Sequence, residues 1–183
     1  MTNRRKFIGK ACLAGTCLCG FSGIIKGIAQ EGDTTAPDPT VSLMQDWIST
    51  LLFSIGASEN DEKCRETLKQ CASAHYEHLG MDNLIKPYEG QLEKFIAFIS
   101  EKWGWKVDYQ EGQKTLIADE NKNYCVCPVV NQEKGVKSAI LCYCSEGFAE
   151  MMFSKVTGHL VRAKVIASVL RGNPTCKYQI RLN

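Results

Sequence analysis

The chain predicts an α+β fold, an antiparallel sheet with N-terminal helices packed on one face. Three observations carry this. Apolar residues recur at helical spacing through the first half, and the period changes to alternation after Trp103. Short alternating runs separated by polar, glycine-bearing turns then mark hairpins in the second half.

Residues 1–29 read as an export leader. Arg4-Arg5-Lys6-Phe7-Ile8 is followed by a mostly apolar run from Ala11 to Ile25, broken by Gly15, Gly20 and Gly23. That run is shorter than the roughly 20 apolar residues of a membrane span. Gly27-Ile28-Ala29 offers small residues for cleavage after Ala29. The paired arginines before a bulky apolar pair resemble a twin-arginine signal, which carries folded proteins, with Asn3 standing where Ser or Thr is usual. The expected location is outside the cytoplasm, periplasmic or secreted, with membrane contact only through the leader. No cysteine of the leader follows a lipoprotein-like triplet.

Residues 30–40, polar and carrying Pro37 and Pro39, form a linker, and 41–183 a single cysteine-rich domain. A first helix is expected over Val41–Ala57, with Leu43, Trp47, Leu51 and Leu52 on its apolar face. A second runs Glu62–Leu79, capped by Asn60 or Asp61 and stopped at Gly80. A third spans about Tyr88–Trp103, with Leu92, Phe95, Ile96 and Ile99 on one side. A hairpin follows from Trp105–Tyr109 and Thr115–Ala118, and then two strands over Asn123–Val130 and Ser138–Tyr143. Ser145 is read as the cap of a helix ending before Gly158, and Val161–Leu170 and Cys176–Leu182 as a closing hairpin. Trp47, Trp103, Trp105, Phe95 and Phe98 read as core. Met151 and Met152 read as packing residues first, pocket residues second.

The net charge of +2 belongs to the leader, which holds five basic residues and no acid; the remainder carries 17 basic against 20 acidic residues. Nothing pairs basic clusters with aromatics, so nucleic acid is not an expected partner. There is no Ser-His-Asp order, no His-Glu-x-x-His and no phosphate-binding glycine loop.

Seven of ten cysteines lie beyond the leader, four of them as Cys125/Cys127 and Cys142/Cys144. Residues two apart on a strand share a face. On neighbouring strands four thiolates would converge, which suits zinc or an iron–sulfur cluster. The rival readings are disulfides, which an oxidising compartment favours, and free thiols. Cys144, read at a helix start, is also a candidate nucleophile for a hydrolase or reductase, because a helix N-terminus lowers a thiol's pKa. Cys64, Leu68, Cys71, His75 and His78 share one side of the second helix, so Cys71 and His75 are candidate extra ligands, with buried hydrophobe-like cysteines as the plainer reading.

The segments CYCSEGF (142–148), GHLVRAKV (158–165) and LRGNPTCKYQI (170–180) resemble the 4-vinyl reductase-type small-molecule-binding domain, which ends in a helix, a strand and a Gly-Asp-Pro-x-Cys-x-Phe-like turn. The resemblance implies a ligand-binding fold related to sensor domains, with a pocket between helices and sheet. Some members bind zinc through cysteines of this region, and by position Cys142 and Cys176 match those ligands. Val165 and Ser168 stand where those members have an acid and a cysteine, so Cys125, Cys127 and Cys144 are candidates to complete a different site. The metal-ligand candidates are thus Cys125, Cys127, Cys142, Cys144, Cys176 and Cys71. The expected function is an exported binding or sensor domain with a cysteine-held metal and an apolar small-molecule ligand, the alternative being an enzyme using Cys144. A homodimer is left open.

Overall fold

The computed structural model describes residues 38–182, which belong to a compact unit beginning at Asp38. The expected leader and most of the linker lie outside the described residues. No helix among the described residues is long and apolar enough to cross a membrane.

Six helices precede or interleave with a four-stranded antiparallel sheet of order β1-β2-β4-β3. Helix α1 (Pro39–Ser58) starts where Asp38 accepts from the Thr40 N–H at 2.8 Å. Helix α2 (Asp61–Gln70) is capped by Asn60, which accepts from Lys63 N at 2.9 Å. The expected single second helix is interrupted at Cys71 and resumes as α3 (Ala72–His78), and Gly80 at φ 61° then ends it. Short α4 (Met81–Ile85) and a 3-10 turn lead to α5 (Leu92–Trp103), which stops at Gly104 in the left-handed region. The third helix is therefore shorter than its apolar pattern, because Gly90 at φ 71° interrupts it.

Strands β1 (Lys106–Gln110) and β2 (Thr115–Asp119) form the first expected hairpin, with Val107 opposite Ala118 and Tyr109 opposite Leu116. Strands β3 (Arg162–Ala167) and β4 (Lys177–Arg181) form the second, and β4 also pairs with β2. Alternation sorts the sheet into two faces. Leu116, Ala118, Ala163, Val165, Tyr178 and Ile180 point into the core, with Phe95, Ile99, Met152 and Phe153 of the helices against them.

The two strands expected over 123–130 and 138–143 are absent. Residues 121–138 form an irregular loop, a 3-10 turn covers Ala139–Leu141, and helix α6 (Cys142–Thr157) begins at Cys142. Pro128 cannot donate to a ladder, and Asn131 folds the chain back locally, accepting from Glu133 N and Lys134 N at 2.9 and 3.0 Å. The loop is instead held by α1: Gln45 Nε2 donates to the Pro128 carbonyl at 3.1 Å, and Lys137 N donates to Ser49 Oγ at 2.8 Å. That polar side of α1 faces the chain, whereas Leu43, Trp47 and Leu51 are exposed, contrary to the core role expected of Trp47.

Helix α6 lies against β3 on one side and α2–α3 on the other. Glu146 accepts from Val165 N at 2.8 Å, Glu150 from Ala163 N at 2.9 Å and Ser154 from Val161 N at 2.9 Å. Acceptors spaced by four residues on a helix thus cover the outward N–H groups of an edge strand. Arg65 and Lys69 of α2 pair with the same two carboxylates. The helices meet at Gly147. A Cβ built there would fall inside the Lys69 carbonyl oxygen's contact radius and 2.9 Å from Ala72 Cβ.

Candidate functional site

A cavity of about 410 Å³ lies where the start of α6, the start of β4, α3–α4, the α5–β1 junction and the 121–138 loop meet. Its walls are Met81, Trp103, Trp105, Phe148, Ala149 and Val165. Leu79 and Val126 also line it and are half-exposed, so the mouth lies between the end of α3 and the loop.

Five of the six candidate ligand cysteines border this cavity: Cys125, Cys127, Cys142, Cys144 and Cys176. Cys71 does not, because the break between α2 and α3 leaves it exposed, its thiol donating to the Thr67 carbonyl at 3.6 Å. His75 does line the cavity, where its ring lies 4.9 Å from that of Phe148. Met151 and Met152 pack in or against the core and are not among the lining residues.

The route by which the thiols assemble differs from the expected one. Cys142 and Cys144 are the first and third residues of a helix, some 200° apart around its axis, so they do not share a face. They reach one cavity because α6 points its first turn at it while Cys125 and Cys127 arrive on the loop. Cys142 Sγ lies 3.2 Å from Ser168 Oγ, and Val165 and Cys176 line the same wall, so the four positions singled out by the resemblance do meet. Cys125 and Cys142 are close enough to act electrostatically on each other and on Cys176. Among the described residues, no group of three or more His, Cys, Asp or Glu side chains is arranged to hold a metal ion.

Burial raises the pKa of each cavity thiol above the ordinary cysteine value. Burial pushes Cys127 up to about 12 and Cys176 up to about 11. Cys144, expected to be activated by the helix start, is instead pushed up to about 11, first by burial and then by the charge of Cys71. It sits inside the first turn rather than at the cap, and desolvation of the thiolate outweighs the helix end.

The polar group that sequence reasoning missed is Glu120. It follows β2, is buried and lines the cavity. Its N–H donates to the Cys176 carbonyl at 3.0 Å, and Tyr178 Oη donates to Oε1 at 2.5 Å. Oε2 is buried with no hydrogen-bond partner. Burial raises the Glu120 pKa, and the Tyr178 hydrogen bond opposes it. Only its place immediately after an apolar strand hinted at burial.

No protein-family model matches this chain, and no curated protein matches it. Among solved structures it is similar to the phenol-responsive sensory domain of the transcription activator PoxR, solved with phenol, at 13% identity and a TM-score of 0.42, covering 74% of this chain and 73% of that one.

Proposed function

We propose that this chain is an exported binding or sensor domain for a small, mostly apolar molecule held in the cavity at the start of α6. The observation that carries the reading is the cavity itself: about 410 Å³, walled by aromatic and aliphatic side chains, with a single buried carboxylate. Ligand sites of small molecules are commonly of this size and composition. The leader's paired arginines support export, and a periplasmic or secreted location follows from it. The thiols are suited to packing against an apolar ligand, since protonated cysteine behaves as a small hydrophobe. The raised pKa of Cys144 disfavours the nucleophile that the enzyme reading needs.

The test is a titration of the full chain with toluene, read by tryptophan fluorescence and calorimetry. Trp103 and Trp105 line the cavity, and Trp47→Phe removes the exposed indole. A saturable one-site change kept in Trp47→Phe is expected; no binding at toluene's solubility limit overturns the reading.

A second reading adds zinc or an iron–sulfur cluster. It is favoured by Cys125, Cys142 and Cys176 lining the same cavity. As placed, these side chains do not form a ligand set, so ligation requires them to move closer together. Metal analysis and absorption of protein purified without oxygen decide it: a stoichiometric metal supports the second reading, and none with fully titratable thiols removes it.

A further inference from the structure

We propose that the ligand of this cavity carries a cationic amine on its apolar frame, and that Glu120 is the residue that selects it. This rests on the binding reading above and names the ligand class for the same site.

A carboxylate buried in an apolar wall needs hydrogen-bond donors and a compensating charge. Glu120 has one donor, Tyr178 Oη at 2.5 Å on Oε1. Oε2 is buried, on a residue 7% exposed, and takes no hydrogen bond. Buried polar atoms without partners are uncommon, and each calls for an explanation such as a ligand or ion. Asp119 and, more weakly and with opposite sign, Lys122 act on Glu120 through their charges, and neither donates a hydrogen bond to Oε2.

Two properties of the surroundings decide what the missing donor is. A neutral hydroxyl would give Oε2 a hydrogen bond but add no positive charge beside a carboxylate whose ionisation burial and Asp119 oppose. An ammonium supplies both, and hydrogen bonds between ionised partners are about twice as strong as neutral ones. Trp103, Trp105 and Tyr178 line the same cavity, with Trp105 and Tyr178 stacked at 6.0 Å between centroids. Aromatic faces attract an organic cation through their quadrupoles and attract a neutral alcohol much less. The rest of the wall, from Met81 to Val165, accepts the ligand's apolar body.

The experiment compares benzylamine, benzyl alcohol and toluene, which share one ring and differ in the head group, by calorimetry on the full chain near neutral pH. The expected order is benzylamine, then benzyl alcohol, then toluene, with about tenfold or more between the amine and the hydrocarbon. Glu120→Gln is expected to abolish that preference, bringing benzylamine and toluene to similar affinities. Equal affinities, a tightest-binding alcohol, or an amine preference that survives in Glu120→Gln would overturn the proposal while leaving the cavity reading standing. If none of the three binds, both fall. Should Glu120→Gln fail to fold, the ranking on the unaltered chain decides alone.

Discussion

Gly147→Ala separates two opposing effects at the α2–α6 crossing. Helix propensity alone favours alanine over glycine by about 1 kcal/mol at a mid-helix position. Packing opposes it, because the added Cβ would overlap the Lys69 carbonyl oxygen and lie 2.9 Å from Ala72 Cβ. The obstacle is backbone, so the helices must part by some tenths of an ångström or more. Overpacking of this kind costs about 1–3 kcal/mol. The same movement stretches the Arg65–Glu146 and Lys69–Glu150 pairs, which bridge the two helices on either side of Gly147. Glu146 is fully buried, and weakening one side of such a pair adds to the loss. Because the clash is with backbone, overpacking falls at the upper end of that range, and less the propensity gain the net expectation is a destabilisation of about 2 kcal/mol, or ~6–7 °C in Tm for a domain near this size. Urea unfolding followed by circular dichroism measures it, with the midpoint falling at constant slope. A variant as stable as the parent, or more stable, would refute the close crossing and leave helix propensity as the only effect.

Three further outcomes follow from the same structure. Glu146→Ala leaves Arg65 and the Val165 N–H without their acceptor and is expected to cost about 3 kcal/mol; Glu146→Gln, which keeps an oxygen for Val165 N, should lose clearly less in the same unfolding assay. His75 has its pKa lowered by burial and then by the charge of His78. The unfolded chain therefore takes up a proton first, and stability present above about pH 6.5 is lost as pH falls through the folded-state pKa; His75→Phe, which keeps a ring against Phe148, should flatten that slope. Iodoacetamide at neutral pH should modify exposed Cys71 first, with Cys127, Cys144 and Cys176 reacting slowly and accelerating as pH rises toward their values of about 11–12. Mass spectrometry reads the order, and Cys144 labelling ahead of Cys71 would contradict the buried, protonated thiol.

Much of the fold was legible because local pattern and tertiary demand agree. Val107 and Tyr109 alternate against Leu116 and Ala118, and Ala163 and Val165 against Tyr178 and Ile180, so both hairpins could be read from period alone. Gly104 and Gly158, each near φ 72°, ended helices where the chain placed them. The 121–138 segment misled because Val126, Val129 and Val130 imitate a strand, whereas what holds it is Gln45 and Ser49 of α1, more than 80 residues away. The cysteine pairs reach one cavity on a scaffold other than the expected strands: a helix turn and a loop deliver them there without the shared face that strands would have given. Cys71 was lost to a helix break that its apolar spacing concealed. Glu120 carried no spacing signal, since its burial depends on Tyr178 and Cys176 arriving from the other end of the chain.

The most direct test of the account is to locate toluene on the full chain by nuclear Overhauser contacts to methyl-labelled side chains. The account predicts contacts from the ring protons to the methyls of Met81 and Val165, two residues that line the cavity. Contacts confined to Leu43 and Leu51 on the exposed side of α1, with Met81 and Val165 unperturbed at saturation, would contradict it.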